Sequence, residues 1–318
     1  ILKGRREEVR ILRQWKSTLI EDEVSEITAA HFEESMKFAR RNNILASNWQ
    51  AYLSTIKVDA NGSKEDIHTS KIKYFFRRGR PYVWIPEKDF HNVSLIIDER
   101  GSLAVTNPYP GPLADILRSI KKVPTRVALI GDLVPMQEQR VQLAVESLRK
   151  IVLSERKAIS EAGYSVSGIL NSSSINHISQ NEKLQEALDG DDPYAVYKFD
   201  IRSCTYIDGS GVTHDVKLDD IQASKADLLS PYSEKLIDGI NQSPARRKAL
   251  MFFCFVHFKT NTRDAFILSV DRKGFDVLGQ TIDDQWKQFR FTFKEEAQDI
   301  ATFCDELVEM EEEALKTM

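Results

Sequence analysis

Between residues 48 and 136, short β-type segments follow one another with turn signals between them, and only one short helical piece, GPLADILRSIKK, intervenes. That spacing disfavours a parallel sheet, because each parallel connection needs a crossover of about a dozen residues or more, usually a helix. About five strands joined by turns are instead expected to close into a small barrel. WQAYLSTIKV alternates apolar and polar residues, and DANGSKED follows it with the hairpin dipeptide Asn61-Gly62. IHTSKIKYFF, a turn at RRGR and the short strand PYVWIP come next. SLIIDERGSLAVT leads through a DERG turn into a strand, and TRVALIGDLVPM is a further β-rich run.

Around this core the pattern changes. Residues 1–47 read as charged N-terminal helices, in which SEITAAHFEESMKFARR gathers Ile27, Phe32, Met36 and Ala39 near one face. From Gln137 to Ala162, Val141, Val145, Leu148 and Val152 recur every three or four residues, which predicts a long helix. Residues 163–193 are rich in Ser, Asn, Gly and Asp and are expected to form a flexible excursion or an inserted lobe. AVYKFDIRSCTYID and THDVKLDDI return as strands around DGSG, with a helix from about Asp219.

In LIDGINQSPARRKAL the helical spacing of Leu236, Ile237 and Ile240 stops at Asn241–Pro244. Ser243 is then placed to cap a new helix, with Pro244 in its first turn. ALMFFCFVHF is read as a buried, aromatic-rich strand. DAFILSVDRKGFDVLGQ and WKQFRFTF add strands around a DRKG turn, before the acidic closing helix EEAQDIATFCDELVEMEEEAL. The expectation is an α+β chain with three parts: N-terminal helices over 1–47, a barrel over 48–228 with 163–193 inserted, and a small C-terminal α/β domain over 229–318.

With 44 basic and 48 acidic residues the net charge is −4, so nucleic-acid binding would need a local basic patch. No apolar run approaches the roughly 20 residues of a membrane span. Cys204, Cys254 and Cys304 stand far apart, which argues against a zinc site or disulfide framework and fits a reducing compartment. The sequence begins at Ile1 rather than Met, so a preceding N-terminal piece is expected.

The short signatures of P-loop, dinucleotide-binding, zincin and serine-hydrolase sites are all absent. The six histidines are never within four residues of one another, so a metal site would have to be assembled by folding. His257, in its apolar run, reads as a structural histidine, and His91 is expected in a more open setting as a site residue. The DGDD stretch lacks the spaced ligands of a calcium loop and reads as a solvated acidic turn. Basic clusters occur at Arg77, Arg78 and Arg80, beside Tyr82 and Trp84, and at Arg246, Arg247 and Lys248. Arginines next to aromatic rings can hold a flat ligand or stack on bases; turn arginines beside core aromatics look the same in sequence.

Taken in order, AYLST, RGRPYVWIP, FHNVSLIIDERGSLAVT, TRVALIGDLVPM and YKFDIRSCTYIDG, followed by LIDGIN and LSVDRKGFDVLG, resemble the HugZ-like, heme-oxygenase-related branch of the pyridoxamine-phosphate-oxidase superfamily, including its plant plastid members. The resemblance covers about 48–318 and implies an FMN-binding-type split β-barrel followed by a small α/β domain. Two departures bear on function. NGSKEDIHTS is longer and more polar than the family's first hairpin connection, and Asn241-Gln242-Ser243-Pro244 stands where the family has Asn-x-Asp-His. Heme iron takes an imidazole or thiolate ligand, and neither is offered there.

Because of these departures, the resemblance implies a non-catalytic, regulatory binding protein rather than an enzyme, akin to the plastid protein that binds glutamyl-tRNA reductase. It implies a homodimer, a protein partner such as a plastid enzyme or assembly, a place in the chloroplast stroma and no cofactor, with Arg77, Arg78, Arg80 and Trp84 as partner-binding candidates. The alternative is heme degradation or flavin-dependent oxidation at a dimer interface, with His91, Tyr82 and Arg126 near FMN or heme. A third reading is RNA binding through RRGRPYVW.

Overall fold

The computed structural model describes residues 42–57, 66–190, 193–223 and 225–316. The expected N-terminal helices lie outside the described residues except for 42–46, which are helical; Asn61-Gly62 lies outside them as well.

Six antiparallel strands form the barrel: β1 (Gln50–Lys57), β2 (Asp66–Arg77), β3 (Arg80–Pro86), β4 (Arg100–Thr106), β5 (Arg126–Pro135) and β6 (Tyr194–Ile207). They pair in the order β3-β2-β1-β4-β5-β6, and a β3–β6 ladder from Tyr82↔Lys198 to Pro86↔Tyr194 closes the ring. A short β7 (Thr213–Val216) extends β6. Alternation sends Leu53, Tyr74, Val83, Ile85, Leu103, Val127, Leu129 and Phe199 to the interior, all essentially inaccessible to solvent. The RRGR turn carries Arg78 at φ 51° and Gly79 at φ 75°, the two positive values of a type I′ hairpin. Helix α1 (Phe90–Ile97) precedes β4, and α2 (Leu113–Ser119) lies between β4 and β5.

One outer wall of the barrel is covered. Helices α3 (Glu138–Glu161) and α5 (Gln180–Leu188) bury Leu148, Val152 and Leu184 against Phe75, Trp84 and Val196 of β2, β3 and β6. Segment 163–193, expected as a flexible excursion or an inserted lobe, holds packed structure in its described residues: α5, and before it α4 (Tyr164–Leu170) with Val166, Ile169 and Leu170 buried.

A second core lies under the three-stranded sheet β10-β9-β8, formed by β8 (Thr262–Asp271), β9 (Gly274–Thr281) and β10 (Trp286–Thr292). Between β7 and this sheet run α6 (Leu218–Ala223), a 3-10 turn (Ser230–Tyr232), α7 (Ser233–Gln242) and α8 (Pro244–Phe258), and the chain closes with α9 (Ile300–Lys316). ALMFFCFVHF is thus the end of a helix and not a strand. Ser243 ends α7 and caps α8, its Oγ accepting the Arg246 N–H at 3.4 Å. Leu250, Phe253 and Cys254 then face the core at helical spacing, while Phe255 and Phe258 stay about half exposed. Aromatic content suggested a strand, but capping and the 3–4 period decide for a helix. No described helix is long and apolar enough to cross a membrane.

Gly239 of α7 sits so close to α4 that a Cβ there would lie 2.3 Å from the Ile169 carbonyl oxygen. Gly239→Ala is expected to cost about 1–3 kcal/mol, typical of overpacking, measurable as a lowered urea midpoint at unchanged slope.

Candidate functional site

Two features of the barrel surface stand out, a histidine cluster at the start of α1 and an uncovered sheet face. Asp89 caps α1 in extended conformation, and its Oδ1 accepts the His91 N–H at 2.9 Å. From that start the helix turns His91, Ser94 and Leu95 inward, at i, i+3 and i+4, and leaves Phe90, Val93, Ile96 and Ile97 exposed.

His91 is fully buried, so the open setting expected for it is corrected; the helix built from FHNVSLII carries it under cover. Its Nδ1 lies 2.8 Å from Thr55 Oγ1 and its Nε2 3.0 Å from Ser70 Oγ. Hydroxyls donate or accept, so both nitrogens of a neutral ring are satisfied. Strand alternation puts His68 on the same face of β2 as Ser70, and its ring centroid is 4.5 Å from that of His91. His68 Nε2 is 3.6 Å from Asp89 Oδ1. Burial pushes the His91 imidazole down to about 4, with Asp89 pulling it up and His68 pushing it further down.

The face that the described helices leave uncovered is the outside of β1, β4 and β5. Register places Tyr52 beside Ala104 and Ala128, and Ser54 beside Ser102 and Ile130. The small residues are half-buried by their neighbours, whereas Tyr52 and Ile130 are 54% and 53% exposed. Where this face meets α5 and α7 there is a cleft of about 420 Å³, lined among others by Tyr52, Lys71, Thr106, Lys183 and Glu234. Its size suits a small ligand, but Lys183 Nζ and Glu234 Oε2 are already paired at 2.7 Å.

The other sequence candidates do not gather around His91. Tyr82 packs in the covered layer with Trp84 and the long helix α3, and Arg126 stands exposed at the start of β5, opposite Thr106 and Ile207. Trp84 is 2% exposed beneath that layer, so its ring cannot stack on a base or a partner. Arg77 donates to Ser147, Arg80 approaches Asp200 at 4.0 Å, and Arg78 is exposed in the hairpin turn. In the second basic run, Arg247 makes a two-pronged pair with Asp264 at 3.1 and 3.0 Å, and Arg246 meets Glu311 at 3.3 Å. His257 lies on α8, its ring edge-on to Phe291 at 5.7 Å. His68, Asp89, Thr55 and Ser70 were not singled out by sequence reasoning. The available signals were an Asp two residues before His91 and the i, i+2 spacing of His68 and Ser70.

No family model and no curated protein matches the chain in sequence. Among solved structures, it is similar to a heme-binding protein from Mycobacterium smegmatis, at 17% identity and a TM-score of 0.52, over 88% of this chain and 98% of that one. Lower overlaps occur with ChuZ of Campylobacter jejuni (13% identity, TM-score 0.34, 59% and 60% covered). A pyridoxinephosphate oxidase family protein of Clostridium acetobutylicum, related to general stress protein 26, gives 11% identity and a TM-score of 0.32, with 58% and 96% covered. The likeness to the mycobacterial protein establishes the fold: this is an α+β split β-barrel with a second small sheet.

The depressed His91 value has a definite sign. The unfolded ring binds its proton as pH falls through about 6.5, whereas the folded ring stays neutral until about 4. Its contribution is complete above 6.5 and is lost as pH drops towards 4. Between pH 7 and pH 5 the protein should lose roughly 2 kcal/mol more stability than a His91→Gln variant, measured by urea unfolding; equal losses would show that His91 does not titrate this way.

Proposed function

We propose that this protein is a non-catalytic split-barrel binding protein that works through protein–protein contacts, and that the outer face of β1, β4 and β5 docks a second copy of itself. The observation that carries this reading is the asymmetry of the barrel. The β2–β3–β6 wall is sealed by α3 and α5, while the β1–β4–β5 wall, with Tyr52 and Ile130 outermost among small side chains, carries none of the described helices over its centre. A face of small residues around two large apolar ones suits flat, self-complementary packing about a two-fold axis. On the resemblance set out above, further partners are plastid enzymes or assemblies and the location is the stroma.

The competing reading, a heme- or flavin-dependent oxidoreductase, draws its support from the shared fold with a heme-binding protein. Heme does not fit the position where the resemblance would place its helix. Asn241 is buried, its side chain donating to the Ile267 carbonyl at 3.0 Å and accepting the Ile267 N–H at 2.8 Å. Gln242 donates to Asp238, Ser243 caps α8 and Pro244 opens it. All four residues are committed to structure and none can ligate iron.

Light scattering on the purified chain is expected to give a dimer, and the double variant Tyr52→Glu with Ile130→Glu a folded monomer, since both side chains are solvent-exposed. A wild-type monomer would refute the docking face. Titration with hemin and with flavin mononucleotide is expected to give no saturable change in visible absorption; stoichiometric binding of either would favour the oxidoreductase.

A further inference from the structure

We propose that His68, Asp89 and His91 form a binding site for a divalent first-row transition-metal ion such as zinc. One potential ligand atom from each residue lies within 4.8 Å of the other two. Two imidazoles and one carboxylate are a donor set that suits zinc and its neighbours, and three protein ligands leave a coordination position open to water or a ligand. In a tetrahedral site with bonds of about 2.1 Å, neighbouring donors stand about 3.4 Å apart. His68 Nε2 and Asp89 Oδ1 already stand at 3.6 Å, too far for a hydrogen bond and close to that edge.

The rest of the cluster has the character of a prepared site. His91 is held rigidly by burial on α1, while the His68 and Asp89 side chains are 29% and 19% exposed, so an ion can enter from solvent. Thr55 Oγ1, itself buried, faces His91 Nδ1 at 2.8 Å and can accept a hydrogen bond from its N–H. In that tautomer the Nε2 lone pair points to the side where Ser70 sits, and an ion would displace the Ser70 hydroxyl, now 3.0 Å away. The positive end of α1 opposes a cation, and the Asp89 carboxylate offsets it.

The test is isothermal titration of the full chain with zinc chloride after stripping with a chelator, repeated with a chromophoric competitor. The expected result is saturable binding of about one equivalent per chain. His68→Gln should weaken it by about 100-fold or more, since losing an outer-shell partner alone costs 10–100-fold. Asp89→Asn should do the same while keeping the helix cap, because asparagine caps as well as aspartate. Thr55→Val, which removes only the orienting hydroxyl, should cost about tenfold. Absence of stoichiometric binding, or undiminished binding in both His68→Gln and Asp89→Asn with far-UV circular dichroism unchanged, would overturn the proposal. Neither result depends on whether the barrel is dimeric.

Discussion

The pairing of β3 with β6 is the contact on which the rest of the structure depends. β6 is long enough to bond β5 along one edge and β3 along the other, and its far end still carries β7. Without the β3–β6 ladder the six strands would be an open sheet with two unsatisfied edges, and the interior side chains from Leu53 to Phe199 would face water. Closure also fixes which residues point outward, and thereby creates the two outer walls on which everything else is arranged. The bulge between Ile130 and Gly131, where β5 shifts register against β6, lets this one strand serve both neighbours.

The two walls have different fates for a chemical reason. Phe75, Trp84 and Val196 are large, and leaving them in water would forfeit roughly 1.5–3 kcal/mol each, so the chain covers them with α3 and α5. That cover is sutured by buried carboxylates: Glu155 accepts from Ser179 Oγ at 2.5 Å and Asn181 Nδ2 at 2.6 Å, and Glu182 accepts from Arg156. Burial raises the Glu155 carboxyl, with the two hydrogen bonds opposing the rise. The β1–β4–β5 wall offers mainly Ser and Ala around Tyr52 and Ile130, and small side chains gain little from cover; none of the described helices lies on its centre.

Much of this was legible in the sequence. Alternation in QAYLSTIK, RPYVWIP and RVALIGDLVP located β1, β3 and β5, and the absence of crossover helices indicated an antiparallel barrel. Ser243 and Pro244 announce the start of α8, yet the aromatic run behind them has the composition of a strand and the period of a helix, and the period decides. The serines and asparagines of segment 163–193 are turn formers, so composition alone leaves open whether it is a flexible excursion or an inserted lobe. Here Ser179 caps α5, and Ser173 and Ser174 donate to Asp238, so polar residues hold a packed element in place. The histidine cluster was illegible for another reason: His68 meets His91 only after β1, β2 and α1 have assembled, and no local spacing reports that.

The brevity of β7 has a consequence for how such a chain survives at high concentration. The strand added to the barrel ends the described strand order in a free edge, and that edge is only Thr213–Val216, with the exposed carboxylate of Asp215 along it and His214 tied back to Asp208 at 2.9 Å. A stub of four residues bearing a charge is a poor template for runaway strand addition and fibril growth. Growth from that edge is thereby blunted.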